Sequence, residues 1–342
     1  PALEGLLIHA DQQLTISGYN MQTGIRTNVF ANVVEGGNIV LNARLFGDII
    51  RRMPDDMITF TADEKMMVHV SCGDADFDIL GLSAADYPDL PEVEDEYAVS
   101  MQQKVLRSMI EEVAFAVSTN ESRPVHTGAL FEIADMSLSM VAVDGFRLAF
   151  RREKLEKLEG GAFSFVCPGS ALSEVKSICG DTEDLVTVTL GKRHILFEIG
   201  DTQLICRRLE GEFLDYKNAI PRKNPIQIVA ETKALIESID RVSVVISDKL
   251  KSPVRCVIGE DTVKLFCTTT MGRATDQISA EISGDQLEIG FNNKYLLDAL
   301  RAAETDEVRL QLGGPISPML VLPKEGDAFS FLVLPVRLRS EM

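Results

Sequence analysis

The chain has 342 residues, with 34 Lys and Arg against 52 Asp and Glu and a net charge of −18. Taken alone, this acidic balance argues against binding nucleic acid, because phosphate contacts rely on Lys and Arg; net charge does not, however, show where the charges lie. The chain has no apolar run long enough to span a membrane and no recognisable signal peptide. Its six cysteines show no CxxC spacing. We therefore expect a cytoplasmic protein without a disulfide framework or a zinc site.

One pattern occurs three times along the chain: a short amphipathic helix, an acidic turn and a strand hairpin. The copies begin at Leu41 (LNARLFGDIIRRM), Cys167 (CPGSALSEVKSI) and Gly290 (GFNNKYLLDALRAA). The spacing of about 125 residues is that of a whole domain and too long for a solenoid repeat. We predict three similar domains, residues 1–95, 96–224 and 225–342, with boundaries at the loop-like stretches PDLPEVEDEY and IPRKNP.

Two longer amphipathic helices are predicted at 103–117 and 232–246, where apolar residues recur with helical spacing. Each opens a repeat and is followed by alternating strand patterns. The first repeat has the matching strands (GLLIHADQQLTISGYN) with no helix pattern before them. The predicted fold is therefore α+β, with two helices against antiparallel strands in each domain, and a first domain that lacks its N-terminal strand and helix.

The sequence offers little sign of catalysis. The four histidines, His9, His69, His126 and His194, are scattered, and the carboxylates cluster in turns, as on a solvated surface. There is no HExxH, GxSxG, Walker A or strand-following GxGxxG pattern. We expect no catalytic residues, no cofactor and no metal. An enzyme on a repeated α+β scaffold is the alternative, and it would require polar groups that converge in a cleft.

Two segments differ from the rest. In MVAVDGFRLAFRRE, Asp144-Gly145 predicts a tight turn, which by pattern alone indicates a hairpin with one packed aromatic residue. In FSFLVLPVRLRSEM, Pro335 interrupts an apolar strand, so this stretch is predicted to lie at an edge or strand end. Leu334, Val336 and Leu338 would then lie near the surface, where exposed apolar residues commonly mark a partner site.

At these segments the chain resembles a known family, the beta sliding clamp (beta subunit) of the bacterial replicative DNA polymerase III. VAVDGFRLA is similar to the family signature VATDGHRLA, and LPVRL to its PMRL ending. SRPVHTGALFE, GEFLDY with IPRKNP, IGFNNKYLLDAL and LSAADYPDL add further matches, so that the resemblance spans essentially the whole chain. It implies a non-enzymatic DNA sliding clamp, the processivity factor of the polymerase, in which two three-domain protomers join head to tail into a six-domain ring around duplex DNA.

The resemblance also implies a pocket between domains two and three. There the family docks short peptides with Leu and Phe anchors from the polymerase catalytic subunit, the clamp loader, translesion polymerases and mismatch-repair proteins. The matching residues are Val143, Gly145, Phe146, Arg147, Leu148, His126, Leu214, Asn218, Ala219, Asn292, Tyr295, Leu332, Leu334, Pro335, Val336 and Arg337. Leu148, Leu332 and Leu334 would form apolar walls, while Arg147 and Arg337 would hold peptide carbonyls or carboxylates.

Several positions depart from the family pattern at this pocket. Phe146 replaces a frequent His, His126 stands where Leu is usual, and Leu214 replaces a Pro. These changes make one part of the pocket more apolar and another more polar, so partner preference is expected to differ from the family norm. Residues 339–342 follow the usual terminal Leu and would shade the pocket.

The repeat helices would line the hole of the ring, and basic residues outnumber acidic ones on them. The predicted DNA-facing residues are Arg44, Arg51, Arg52, Lys104, Arg107, Arg123, Lys176, Lys233, Arg241, Lys294 and Arg301. At the protomer interface, Leu45, Ile49, Phe77 and Ile79 would pack against Val244 and Val245. A clamp-like paralogue that binds partners as a monomer, without encircling DNA, is the alternative suggested by the short first domain.

Overall fold

The three sequence repeats fold as mixed helix and antiparallel sheet. The structure, a computed structural model, describes residues 4–94, 96–155, 161–246 and 252–338. The chain divides into two compact units, one formed by Pro1–Gln103 with Thr182–Arg208 and the other by Lys104–Asp181 with Leu209–Met342. The second unit contains every residue predicted for the pocket.

The first repeat contributes seven strands and one helix from its described residues. In chain order these are β1 (Gly5–Ala10), β2 (Leu14–Tyr19), β3 (Thr23–Val29), β4 (Gly37–Asn42), α1 (Ala43–Ile50), β5 (Thr59–Ala62), β6 (Met67–Cys72) and β7 (Ala75–Leu80). Asn42 caps α1, since its side chain accepts a hydrogen bond from the Leu45 amide at 2.9 Å. This start directs Phe46 and Ile49 into an apolar core with Ile8 and Val70.

The second repeat opens with the predicted long helix. Its elements are β8 (Tyr97–Gln102), α2 (Gln103–Ala114), a 3₁₀ turn (Pro124–Thr127), β9 (Gly128–Ala134), β10 (Ser137–Val143), β11 (Arg147–Lys154), β12 (Phe163–Pro168), α3 (Gly169–Ile178), β13 (Leu185–Leu190), β14 (His194–Ile199), β15 (Thr202–Arg207) and a short α4 (Tyr216–Ala219). The helix ends before the predicted residue 117, because the Ala116 amide bonds to Val113 and closes the last turn in 3₁₀ fashion. The apolar stripe continues past the helix as part of the core.

The third repeat has the same order. It consists of β16 (Ile226–Glu231), α5 (Thr232–Ser243), β17 (Val254–Ile258), β18 (Thr262–Thr269), β19 (Gly272–Ser279), β20 (Glu281–Ser283), β21 (Leu287–Phe291), α6 (Asn293–Ala302), β22 (Glu307–Leu312), β23 (Met319–Pro323) and β24 (Phe329–Val333). α5 contacts α6 and lies against β16 to β19. The amphipathic stripe of α5 explains this arrangement, since Leu235, Ile239 and Val242 are buried on one face.

All strand pairings among the described residues are antiparallel. One sheet runs β4-β1-β2-β3-β15-β14-β13-β8 and a second β12-β9-β10-β11-β24-β23-β22-β16-β20; smaller sheets run β19-β18-β17-β21 and β5-β6-β7. Strands from different repeats are joined at two places, β3 with β15 and β11 with β24. Each joint forms one continuous sheet from two repeats.

The first repeat differs from the others at its front. In the described residues it begins directly with the β1–β2 pair, and β5 is an edge of its sheet. The counterparts of β5 in the other repeats, β13 and β22, pair with β8 and β16 respectively. Among the described residues, no strand pairs with the open edge of β5.

Candidate functional site

A tight turn between β10 and β11 presents the most exposed aromatic side chain of the candidate pocket. The Asp144 carboxylate accepts hydrogen bonds from the amides of Phe146 (2.9 Å) and Arg147 (3.1 Å). Gly145 has a φ of +91°, a backbone conformation that side chains disfavour. The turn directs Phe146 outward, where it is 58% exposed and stacks on Tyr295 with ring centroids 5.8 Å apart. The tight turn predicted at Asp144-Gly145 is confirmed.

Arg147 forms ion pairs with two carboxylates of its own chain. Its Nε donates to Asp144 at 2.8 Å and its Nη1 to Asp298 of α6 at 2.5 Å. The guanidinium also lies 4.5 Å from the ring centroid of Tyr295 and 5.5 Å from that of Phe115. Two of its donors thus face carboxylates and its guanidinium lies against Tyr295. That Arg147 also holds peptide carbonyls or carboxylates stays a prediction.

Leu148 and Leu332 lie beneath the surface. They face each other directly across the β11–β24 joint and are 2% and 6% exposed. Both belong to an apolar cluster that includes Val143, Phe150 and Tyr216. Both leucines are thus buried against this cluster, and their expected role as walls of a peptide pocket stays a prediction.

The rim comes from the segment after β24. Leu334 and Val336 are 37% and 38% exposed and flank Pro335. Backbone hydrogen bonds from the Leu334 amide to Phe146 (2.9 Å) and from the Val336 amide to Gly290 (2.8 Å) fix this segment. Arg337 is exposed and forms no ion pair with any described residue. The predicted strand end at Pro335 is confirmed, since β24 stops at Val333.

A second part of the candidate pocket is an open depression of about 460 Å³. His126 and Leu214 both line it, together with Arg123. The His126 ring packs edge-on against Phe213 at 5.5 Å between centroids. Burial and then the charge of Arg123 lower the pKa of His126 below its ordinary 6.5. The imidazole of His126 is thus neutral at pH 7, so it is less polar than a charged side chain would be at the position where the family usually has Leu.

Three further predicted residues take supporting positions. Asn218 and Ala219 are exposed on α4, where the Asn218 amide donates to Asp215 at 2.6 Å. Asn292 caps α6 by accepting a hydrogen bond from the Tyr295 amide at 3.3 Å. Asn292 therefore sets the start of the helix that carries Tyr295.

Eight of the eleven predicted DNA-facing cations lie on α1, α2, α3, α5 and α6, and Arg51 and Arg52 directly follow the end of α1. Arg123 lies on the loop before the 3₁₀ turn and lines the depression beside His126. Among the others, several form ion pairs on their own or a neighbouring element: Arg51 and Arg52 with Asp48, Arg107 with Glu111, Lys233 with Glu237, Arg241 with Glu237 and Asp276, and Arg301 with Asp240. Arg44, Lys176 and Lys294 have no ion pair among the described residues.

The predicted interface residues divide into two kinds. Leu45, Phe77 and Val244 are 47%, 39% and 82% exposed, as a contact surface requires, and Val245 is partly exposed. Ile49 and Ile79 instead belong to the core of their own repeat, at 4% and 9% exposure. Leu45 and Ile49 lie one helical turn apart on α1, and Phe77 and Ile79 lie on the same face of β7, so on each element a buried residue neighbours an exposed one. The role of Ile49 and Ile79 at the interface stays a prediction.

The described residues provide few groups for catalysis. The six cysteines are buried and form no disulfide among the described residues, and burial raises the pKa of Cys179 to about 11 and of Cys256 to about 12. Such thiols stay protonated and are poor nucleophiles. Within the described ranges no group of His, Cys, Asp and Glu could hold a metal ion, and no helix is long and apolar enough to cross a membrane.

Comparison with known proteins adds three family matches along the chain. Residues 1–91 match the N-terminal domain of the DNA polymerase III beta subunit, residues 100–215 its central domain and residues 217–337 its C-terminal domain. The beta sliding clamp of Staphylococcus aureus (strain Mu50) is 31% identical over 348 residues, covering 98% of this chain and 92% of that protein.

Solved structures show the same likeness. The DNA polymerase sliding clamp of Bacillus subtilis superposes with a TM-score of 0.94 at 28% identity, covering 99% of this chain and 92% of the other. The DNA polymerase III beta subunit of Thermotoga maritima gives 0.93 at 26% identity, with coverage of 99% and 92%. The chain therefore belongs to the DNA polymerase III beta subunit family. It is a DNA sliding clamp built from three tandem clamp domains, and the resemblance seen in the sequence is confirmed.

Proposed function

We propose that two copies of this clamp join head to tail into a closed ring around duplex DNA. One observation carries the proposal. At both joints within the chain, the strand that follows the two-residue turn of one repeat pairs with the last strand of the next repeat, β3 with β15 and β11 with β24. The remaining strands of these two kinds, β19 and β7, are each at the edge of a sheet in the described chain.

A second copy would satisfy both edges at once. β19 of one copy would pair with β7 of the other, and the reciprocal pair would form on the opposite side. A head-to-tail contact of this kind closes into a ring when the rotation allows it. Closure would also remove two exposed strand edges, which proteins otherwise have to protect against aggregation. The exposed Leu45, Phe77 and Val244 would then be covered.

The helices support a nonspecific grip on DNA. Their exposed cations would contact phosphates, which position a duplex without reading its sequence. Ion pairs between exposed side chains are weak, usually below about 1 kcal/mol, so Arg51 or Arg301 can exchange a carboxylate for a phosphate at little cost. Weak contacts of this kind would let the ring slide while its closed shape prevents escape.

The candidate pocket would dock partner peptides with Leu and Phe anchors. We infer as partners the replicative polymerase catalytic subunit, the clamp loader, translesion polymerases and mismatch-repair proteins. Leu334, Val336 and the Phe146–Tyr295 pair offer exposed apolar surface, and each buried anchor is worth about 1.5–3 kcal/mol. Ordering a free peptide offsets part of this gain, so micromolar affinity is expected. The chain would act in the cytoplasm as a processivity factor with no catalytic residues of its own.

Sedimentation equilibrium across a wide concentration range tests the ring. A mass of twice 37.6 kDa that persists on dilution is expected. A monomer at every concentration would overturn the ring and favour the clamp-like paralogue that binds partners without encircling DNA. The same samples, loaded on nicked circular DNA, should dissociate rapidly once the DNA is cut to a linear form.

Titration of a labelled peptide tests the pocket separately. Phe146→Ala combined with Leu334→Ala should abolish binding of a peptide with Leu and Phe anchors and leave the dimer intact. Both side chains are exposed, so the fold should tolerate their removal. Undiminished peptide binding by this double variant would contradict the pocket assignment.

A further inference from the structure

We propose that an ion pair between Arg273 of one copy and Asp78 of the other sets the register of the joint between copies. The inference rests on the proposed ring and concerns which residues face each other across it. It follows from the pairing of equivalent strands within the chain, together with the charges that lie on the two free edges.

The three hairpins that end in β3, β11 and β19 are equivalent residue by residue. Each has a loop of two residues, between Asn20 and Thr23, between Asp144 and Arg147 and between Thr269 and Gly272. With equal loops, the first residue after each loop is the same structural position. Arg273 therefore corresponds to Gly24 and to Leu148, each the second residue after its loop.

The last strands align in the same way. β7 and β15 both follow a two-residue Gly-Asp loop whose glycine has a positive φ, +58° at Gly73 and +56° at Gly200. Asp78 is thus equivalent to Ile205. Within the chain Gly24 lies directly opposite Ile205, and Leu148 opposite Leu332, which occupies the matching position of β24. The two joints share one register.

Applying that register to the free edges places specific residues opposite each other. Arg273 faces Asp78 of the second copy, Thr275 faces Asp76, and Ala274 faces Phe77. The faces of the strands agree with this arrangement. Ala274 lies on the same face of β19 as Asp276, which pairs with Arg241 of α5. Phe77 lies on the same face of β7 as Ile79, which is buried in the core beside α1. The Ala274–Phe77 pair would therefore lie on the helix side, and the Arg273–Asp78 and Thr275–Asp76 pairs on the other side.

The charges on the two edges are complementary. Asp76 and Asp78 have side chains 65% and 70% exposed and share only His69 as a partner in the described chain, at 3.3 and 2.9 Å. Arg273 is exposed and forms no ion pair with any described residue; its guanidinium lies 5.8 Å from the ring centroid of Phe266. Arg273, which has no carboxylate partner among the described residues, would meet Asp76 and Asp78, which share His69 as their one titratable partner.

The equivalent positions at the two joints within the chain carry no charge. Gly24 faces Ile205 and Leu148 faces Leu332, so packing and covalent connection suffice there. The joint between copies has no covalent tether. A single opposite-charge pair is therefore well placed to select these two edges and this register over slipped or mismatched strand pairings, since like charges directly opposite destabilise a pair.

Charge reversal followed by mixing tests the proposal. Arg273→Glu should weaken the dimer by about tenfold or more, because each of the two joints would then oppose like charges. Asp78→Arg should do the same for the same reason. An equimolar mixture of the two variants should form heterodimers within about threefold of the wild-type dissociation constant, since opposite charges then meet at both joints. Sedimentation of the single and mixed samples gives all three values.

Lys264→Glu is the matched control. It makes the same charge change on the same face of the sheet but one strand inward, opposite Gln277, and it should leave dimerisation within about twofold of the wild type. Arg273→Gln, which keeps most of the side-chain length, should weaken the dimer by about threefold and shows the effect without repulsion. Thermal unfolding of each single variant checks that it is folded.

The outcomes separate this inference from the ring itself. A wild-type dimer with unaffected Arg273→Glu and Asp78→Arg variants, or singly weakened variants that mixing fails to rescue, would overturn the ion pair and leave the ring standing. A wild-type monomer at all concentrations would overturn the ring. Rescue on mixing supports direct pairing, because no effect on the separate folded copies could produce it.

Discussion

Arg147 is expected to stabilise the junction on which the candidate pocket is built, and its removal gives a measurable test. Arg147→Ala breaks two ion pairs at once, with Asp144 at 2.8 Å and with Asp298 at 2.5 Å. Removing one partner of a fully buried pair costs about 3–5 kcal/mol, because the other charge is left uncompensated. Here the cost is lower for two reasons that the structure provides.

The two carboxylates keep other partners after the change. Asp144 still accepts hydrogen bonds from two backbone amides, and the Asp298 side chain is 25% exposed and can be hydrated. The loss of the contact between Arg147 and Tyr295 adds less than the ion pairs. We therefore expect a loss of about 2 kcal/mol in the free energy of unfolding. In a unit of roughly 200 residues this corresponds to a melting temperature lower by about 4–8 °C.

Differential scanning calorimetry is the suitable assay, since the chain has no Trp to report unfolding by fluorescence. Arg337→Ala, which removes an exposed arginine without an ion pair among the described residues, serves as the control and should shift the melting temperature by about 1 °C or less. A double-mutant cycle with Asp298→Asn should give a coupling of about 1–2 kcal/mol. Additive effects in that cycle, or a shift for Arg147→Ala no larger than the control, would refute the reasoning.

Three other predictions follow from burial, charge and titration. Leu148→Ala should lower the free energy of unfolding by about 2–5 kcal/mol by opening a cavity, whereas Phe146→Ala should leave thermal stability unchanged and weaken peptide binding by about tenfold in an anisotropy titration. Lys294→Ala should reduce the slope of log affinity for duplex DNA against log salt by about 0.9, measured between about 50 and 200 mM salt. The hydrogen bond to Asp78 raises the pKa of His69 in the folded protein above its ordinary 6.5. The protonated His69 therefore stabilises the fold below pH 6.5, and this stabilisation is lost as the pH rises through the higher folded pKa. The difference in melting temperature between wild type and His69→Gln should be largest near about pH 6 and absent near about pH 9.

The sequence predicted the repeat organisation well, because each repeat carries the same strong local signals. Apolar spacing identified five of the six described α-helices and missed the short α4; Asn42 and Asn292 provide side-chain caps for two of the five. The two long helices were predicted to end three residues too late, at 117 and 246. After α2, the buried Ala116 continues the apolar stripe although the α-helix has ended. Periodicity reports burial, and burial does not end where helical hydrogen bonding ends.

The candidate site was predicted in outline and less well in the roles of single residues. The motif that contains Phe146, Arg147 and Leu148 placed all three at the pocket, yet they are respectively exposed, ion-paired and buried. Strand alternation could not have separated the exposed Phe146 from the buried Leu148, because the two are two positions apart and Phe146 lies in the turn before β11. The pairing of Arg147 with Asp298 could not be seen in the sequence, because the two residues are 151 positions apart and meet only through folding.

The same difficulty of long-range pairing applies to the free edges, but there the internal repeat overcomes it. The local pattern of a strand does not show which strand of another repeat it pairs with. The two joints within the chain, however, define a register that can be applied to the joint between copies. Phe77 and Ala274 show how this works. Taken separately, Phe77 is an exposed aromatic residue and Ala274 a small residue. The register of the joints within the chain places them opposite each other on the helix side, where the large side chain would pack against the small one. If Ala274→Leu, which would crowd that pair, leaves the dimer dissociation constant unchanged in sedimentation, then the joint between copies does not follow the register of the joints within the chain.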